Sequence, residues 1–231
     1  AQSINTVAVK VGEKAGRVNV IKAARRLGLS GNFKPQPSLS LGVNEVRLLE
    51  LTAAYATFAS GGGGVWAYGI EEIRDSGGNT LYRRGGSGPG RVVAQAQVAA
   101  INAMLSAAVS GGTGRAAKIG RPQAGKTGTS QNFRDAWFIG YTADLVAGVW
   151  MGNDDAKPMN RVTGGGAPAK LWSDVMAAAH GGLPPRALPG LTPGTRPADK
   201  VPDKGPGFWK NLFATITGEQ TPKATFDLDG G

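Results

Sequence analysis

The run Gly125-Lys126-Thr127-Gly128-Thr129-Ser130 places one cation, three hydroxyls and two side-chain-free residues in six positions. It leads into the alternating apolar stretch Asp135-Ala136-Trp137-Phe138-Ile139-Gly140-Tyr141. A lysine beside hydroxyls can hold a carboxylate, and glycine lets a ligand approach the backbone closely. Main-chain N–H groups at the entry to a strand can stabilise the oxygen of a reacting carbonyl. Together these could hold a carboxylate and a reacting carbonyl side by side. Far upstream, Ser3-Ile4-Asn5 adds a hydroxyl and an amide just ahead of a helical pattern. Taken alone, Ser3 also reads as the cap of that helix, with Asn5 there by chance.

These residues need elements to hold them. Periodicity predicts a helix over 6–27, with Val7, Val11, Val18, Ile21 and Leu27 on one face, a break suggested by Gly12 and Gly16, and a stop at Gly28. Asn44 reads as the cap of a second helix carrying Val46, Leu48, Leu49, Leu51, Ala54, Tyr55 and Phe58, which ends at the four glycines 61–64. Strand-like runs at 65–74 and 80–83 flank the turn signal Asp75-Ser76-Gly77-Gly78-Asn79. A glycine-rich link (85–90) precedes an alanine-rich helix over 92–109, with Val98, Ile101, Met104 and Leu105 on one face. A strand is expected through the Lys-Thr-Gly run, followed by strands over 136–142 and 145–151. A last helix over 168–179 should turn Leu171, Trp172, Val175 and Met176 inward. Residues 183–231 are rich in proline and glycine and read as an extended tail, with an aromatic island at Phe208-Trp209-Lys210-Asn211-Leu212-Phe213.

Composition narrows the function classes. The 231 residues hold 26 basic and 16 acidic side chains, a net charge of +10, which favours anionic partners. The basic residues are scattered and no basic run is interleaved with aromatics, so no nucleic-acid partner is expected. The absence of cysteine excludes disulfides and thiolate metal sites. No apolar run approaches the roughly 18–20 residues of a membrane span, so either the protein is soluble or its targeting segment lies outside this sequence.

Lys126-Thr127-Gly128 is one of three motifs of serine acyltransferases of the penicillin-binding and β-lactamase type. The chain resembles the C-terminal part of the transpeptidase domain of a bifunctional class A penicillin-binding protein. Ser3-Ile4-Asn5 matches the family's Ser-x-Asn element. Leu39-Ser40-Leu41-Gly42, Glu45-Val46, Leu49-Glu50 and the stretch Ala53 to Ala59 resemble the family segment that follows it. Gly112-Thr113-Gly114 with Arg115-Ala116-Ala117 resembles the approach to the Lys-Thr-Gly strand, and Val149 to Asp154 completes the match over roughly residues 1–180. The third motif, Ser-x-x-Lys, which carries the nucleophile, is absent: no lysine in the sequence follows a serine by three places. The resemblance therefore implies an α+β transpeptidase fold, an antiparallel sheet flanked by helices, incomplete at its N-terminal side. It implies a catalytic-domain portion over 1–182 and a tail over 183–231, with no acylation of this chain alone.

The resemblance also implies roles. Ser3 and Lys126 form a proton relay, and Asn5 donates to a peptide carbonyl of the acyl donor. Thr127 and Thr129 bond the substrate carboxylate, Gly128 gives it room, and the Thr129 N–H is one oxyanion donor. The partners implied are peptidoglycan stem peptides, β-lactams and the remainder of the same transpeptidase domain, in a membrane-anchored protein facing the periplasm, with no cofactor and no metal. A hydrolytic relative (a D,D-carboxypeptidase or β-lactamase) and a non-catalytic peptidoglycan-binding module of the same fold remain as alternatives. Other conspicuous residues have ordinary readings. Trp137, Phe138 and Tyr141 put one face of a strand in the core. Asp154-Asp155 are solvated, and His180 sits on the surface at a helix end.

Overall fold

A computed structural model describes residues 2–86 and 88–191. The expected aromatic island at 208–213 and all but the first residues of the expected tail lie outside the described residues. The elements follow the order α1 (Asn5–Ala15), α2 (Arg17–Arg26), a 3-10 turn (Pro37–Leu41), α3 (Leu48–Ala59), β1 (Glu72–Arg74) and β2 (Thr80–Arg83). Then come α4 (Gln95–Ser110), β3 (Ala124–Thr129), β4 (Asp135–Tyr141), β5 (Val146–Gly152) and α5 (Ala167–Ala179). The fold is α+β, with an antiparallel sheet in the order β3-β4-β5 and a separate β1-β2 hairpin.

The expected first helix divides at Gly16, whose φ of +83° turns the chain between α1 and α2. Gly12 stays helical and is buried against Ser40 of the 3-10 turn, so it is a packing glycine and not a break. Val7, Val11 and Val18 are exposed among the described residues, contrary to their expected place in a core stripe. Asn44 does not cap α3. The helix starts four residues later with Arg47 at its N-cap, and the Asn44 amide donates instead to Asn32 O at 3.1 Å.

β4 is the central strand and is covered on both sides, where the sequence suggested one. Phe138 packs on Trp172 of α5 at a ring separation of 5.3 Å, while Tyr141, of the opposite parity, meets Tyr55 of α3 at 6.3 Å. One core joins Val109, Phe138, Trp172 and Met176; the other joins Ala124, Tyr141 and Leu188, with Tyr55, Phe58 and Leu105 against them. The inward face of α5 is narrower than expected, because Leu171 and Val175 are exposed beside the buried Trp172 and Met176. On α4 the buried stripe runs Val98, Asn102, Val109, and Met104 points outward.

Two polar clusters close the back of the sheet. Tyr141 Oη donates to Asn102 Oδ1 at 2.5 Å, and Asn102 Nδ2 donates to Pro189 O at 2.8 Å. This ties 188–190 into the core, with Leu188 buried, so the segment after residue 183 begins as a docked strap and not as an extended tail. His180, expected on the surface, is buried. Its Nδ1–H donates to Met176 O at 2.6 Å, and its Nε2 accepts from Thr142 Oγ1 at 2.8 Å. Thr142 also receives the N–H groups of Asp144 and Leu145, which leaves its own proton for the imidazole.

Candidate active site

β3 is an edge strand, and its free edge forms the site. Ser130 N donates to Asp135 O at 2.9 Å, continuing the β3-β4 register in which Thr129 faces Ala136. Hydrogen-bonded pairs alternate along an antiparallel ladder, so Thr127 and Thr129 fall at the intervening positions and aim their N–H and C=O groups away from β4. Side chains alternate as well. Thr127 and Thr129 share one face of the strand, and Lys126 leaves from the other, toward α1.

A cleft of about 830 Å³ runs along this edge. It is bordered by Ser3 and Asn5 at the start of α1, Thr113 and Arg115 from the turn before β3, Lys126 to Thr129, and Thr163 and Gly165 from the loop before α5. No aspartate or glutamate borders it among the described residues. All six residues expected from the sequence are brought together here.

Lys126 Nζ donates to Ser3 Oγ at 2.7 Å and to Thr127 O at 2.8 Å. Partial burial holds its pKa below the usual lysine value, because desolvation disfavours the ammonium. Ser3 is not a helix cap: Ile4 occupies the N-cap of α1, which has no side-chain cap. Ser3 instead adopts φ +51°, in the left-handed region that non-glycine residues rarely enter, as is found where a functional site dictates the backbone. Asn5 opens α1 with an exposed side chain.

The hydroxyls on the other face are held by two neighbours absent from the expected site. Thr113 Oγ1 lies 2.8 Å from Thr127 Oγ1, and Gly164 N donates to Thr129 Oγ1 at 3.0 Å. Thr113 belongs to the Gly112-Thr113-Gly114 run, visible in the sequence as part of a segment but not as a site residue. The signal for the second was the triple glycine Gly164-Gly165-Gly166 just before a helix.

A hydroxyl carries one proton and two acceptor lone pairs, and an ammonium carries three protons. Lys126 uses two of its protons within the protein and keeps one. Ser3 Oγ accepts from Lys126 and keeps its own proton. Thr113 and Thr127 share one proton between them and keep the other. Thr129 accepts from Gly164 and keeps its own. The cleft therefore offers several unspent donors and no anionic side chain, an environment that fits a carboxylate and a developing oxyanion.

Over residues 1–177 the sequence matches the family described as the penicillin binding protein transpeptidase domain. The chain belongs to that family. Among its relatives, penicillin-binding protein 1A of Aquifex aeolicus is 38% identical over 76% of this chain and 24% of that protein. Penicillin-binding protein 1A of Rickettsia typhi is 32% identical over 97% of this chain and 30% of that protein. The chain thus spans about a quarter to a third of the curated relatives it matches. Among solved structures, penicillin-binding protein 1A from Haemophilus influenzae superposes with a TM-score of 0.73 at 25% identity, over 81% of this chain and 35% of that one. PonA1 from Mycobacterium tuberculosis gives 0.67 at 23% identity over 79% of this chain and 54% of that one, a likeness of fold. The α+β arrangement expected from the sequence is the transpeptidase fold of penicillin-binding proteins.

Proposed function

We propose that this chain forms the Lys-Thr-Gly wall of a peptidoglycan D,D-transpeptidase that works through a serine acyl-enzyme and is a target of β-lactams. The observation that carries the reading is the 2.7 Å contact from Lys126 Nζ to Ser3 Oγ, bridging motifs 123 residues apart at the edge of an acid-free cleft.

In this reading a serine hydroxyl from a Ser-x-x-Lys element, which the 231 residues do not include, passes its proton to the lysine of that element and attacks the carbonyl between two D-alanines of a stem peptide. The Thr129 N–H and the N–H of that serine bind the oxyanion; losing one such donor costs about 3–4 kcal/mol in the transition state. The C–N bond then breaks. Lys126 passes a proton through Ser3 to the departing nitrogen, and D-alanine leaves with it. An amine of a second stem attacks the acyl-enzyme, its proton returns along the same path to Lys126, and the serine oxygen leaves with the proton held by the lysine of its own element as the cross-link forms. A lysine whose pKa lies below the ordinary value gives up its proton more readily, which suits Lys126 to this exchange. Thr127 and Thr129 bond the terminal carboxylate, Gly128 leaves space for it, and Asn5 donates to a backbone carbonyl of the acyl donor. The chemistry needs no cofactor or metal. It belongs on the outer face of the cytoplasmic membrane, in a membrane-anchored class A protein whose remaining transpeptidase segment completes the site.

The test has two arms. Incubated alone with fluorescent penicillin, the 231-residue chain is expected to show no adduct by intact mass; a stable adduct would overturn the assignment of the nucleophile. Combined with a fragment carrying Ser-x-x-Lys, it is expected to release D-alanine from a stem pentapeptide and to form a new amide with an added amine. A free acid in place of the amide would make the protein a carboxypeptidase. No release at all would leave a non-catalytic binding module and refute the transpeptidase reading.

A further inference from the structure

No basic run marks the sequence, yet its charge is uneven. Residues 1–34 hold seven basic side chains and one acidic, six of the chain's ten net positive charges. All but Lys34 lie on α1 and α2. Glu13, the one acid on either helix, is taken by Arg17, whose Nε and Nη2 donate to its two oxygens at 2.7 and 2.8 Å. Lys10, Lys14 and Lys22 are exposed and make no ion pair or hydrogen bond among the described residues.

The helix dipole accounts for cations in a last turn, where Lys14, Arg25 and Arg26 stand. It does not account for Lys10 and Lys22. Lys10 and Lys14, one turn apart on the same exposed face, also repel each other. An uncompensated row of this kind fits an anionic partner.

Its place points to which one. α1 begins at the cleft, where Ser3 and Asn5 form part of the wall. Lys10 and Lys14 stand about 8 and 14 Å along the helix axis from Asn5, so the row leads out of the cleft. α2 adds Lys22, Arg25 and Arg26, which share one exposed face at spacings of three and four residues. Lysine is a mobile point charge without the rigid fork by which arginine reads one fixed group, so a row of lysines suits repeated anions that shift in position. A bilayer surface would call for Trp, Phe or Leu beside the cations. The large apolar residues that α1 and α2 expose are Val7, Val11 and Val18.

We propose that α1, reinforced by α2, is an electrostatic track for peptidoglycan outside the cleft, its lysines holding the terminal carboxylates of stem peptides that neighbour the one bound there. The inference rests on the transpeptidase reading for the identity of the polymer. The track touches no reacting atom; it raises the concentration of strands at the mouth of the cleft.

The experiment follows fluorescence anisotropy of labelled, uncross-linked peptidoglycan strands mixed with the 231-residue chain. The wild type is expected to bind, and to lose about tenfold in affinity as salt rises from low to physiological strength. Combining Lys10→Glu, Lys14→Glu and Lys22→Glu should cost about tenfold or more at low salt, whereas Lys10→Arg, Lys14→Arg and Lys22→Arg together should preserve binding. Lys10→Gln, Lys14→Gln and Lys22→Gln together should also weaken it, and this variant decides the matter if the glutamate one does not fold. Strands with amidated stem carboxylates should bind the wild type no better than free acids bind the glutamate variant. Penicillin labelling after joining to a Ser-x-x-Lys fragment should keep the wild-type rate in every variant. No binding, salt-independent binding, or equal binding by the wild type and the charge-removing variants would overturn the track, whatever the reaction. Undiminished binding of amidated strands would overturn the role of the carboxylates, and tighter binding of phosphatidylglycerol vesicles or an oligonucleotide would overturn the occupant. Strands held through the lysines, with no D-alanine released by the joined domain, would keep the track and overturn the transpeptidase reading.

Discussion

The two ends of the β3-β4 pair carry the same kinds of polar groups and use them in opposite ways. At the back, Tyr141, Asn102, Thr142 and His180 are buried and spend their protons on one another or on main-chain oxygens of Pro189 and Met176. At the front, Ser3, Lys126, Thr127 and Thr129 are also hydrogen-bonded, but each bond leaves a donor over. Buried polar groups stabilise a fold when every bond is made. A site needs them held but not satisfied. The difference lies in who the partner is. The back cluster pairs donors with acceptors, whereas at the front Thr129 and Ser3 are both approached by donors.

The contrast can be broken most sharply at Lys126. Lys126→Ala is expected to lower acylation of the reconstituted site by two to four orders of magnitude, the range of general acid–base catalysis, in a penicillin-labelling time course. Thermal stability should not fall, since removing a half-buried amine also removes its desolvation cost. A large drop in melting temperature together with lost labelling would make Lys126 a structural residue like those at the back.

Asn102→Ala attacks the other end. It strands the Tyr141 hydroxyl and Pro189 O, each an orphaned buried group costing about 1–3 kcal/mol, so urea unfolding should show a loss of about 2–4 kcal/mol. Labelling per folded molecule should stay at the wild-type rate. A smaller loss, about 1–3 kcal/mol, is expected for Thr142→Val, which removes the partner of His180 Nε2 and of two main-chain N–H groups.

The smallest effect is one of pH. Between the lowered native pKa of Lys126 and the ordinary lysine value of about 10.4, the unfolded chain binds a proton that the native chain does not. Stability therefore rises with pH across that window, relative to a chain lacking the group. Urea midpoints measured along an alkaline series should lose that rise in Lys126→Met. An identical pH profile in the variant would show that burial does not perturb this lysine.

The same contrast explains what could be read from the sequence. The Lys-Thr-Gly strand, its hairpin partner and the Ser-Ile-Asn element were legible because local pattern and motif order coincide there. The back was not. Nothing near His180 signals burial, because its partner Thr142 lies 38 residues away. Nothing near Asn102 signals its burial either, because its acceptor Pro189 O lies 87 residues later. Segment 183–191 read as tail for the same reason, since Leu188 is buried by contacts distant in the chain. Asn44 looked like a cap because its residue type favours one, yet Asn32 O took its amide. At the front, Gly164 contributes one main-chain N–H, so the triple glycine before α5 is its only mark in the sequence.

The central claim is that Lys126 and Ser3 form a working relay at the edge of β3. Its most direct test is the rate of fluorescent-penicillin labelling when this chain is joined to a Ser-x-x-Lys fragment, compared among wild type, Lys126→Ala and Ser3→Ala. The account predicts labelling of the wild type, and a loss of at least about a hundredfold in each variant without loss of fold. Labelling at the wild-type rate in a folded Lys126→Ala domain would contradict it.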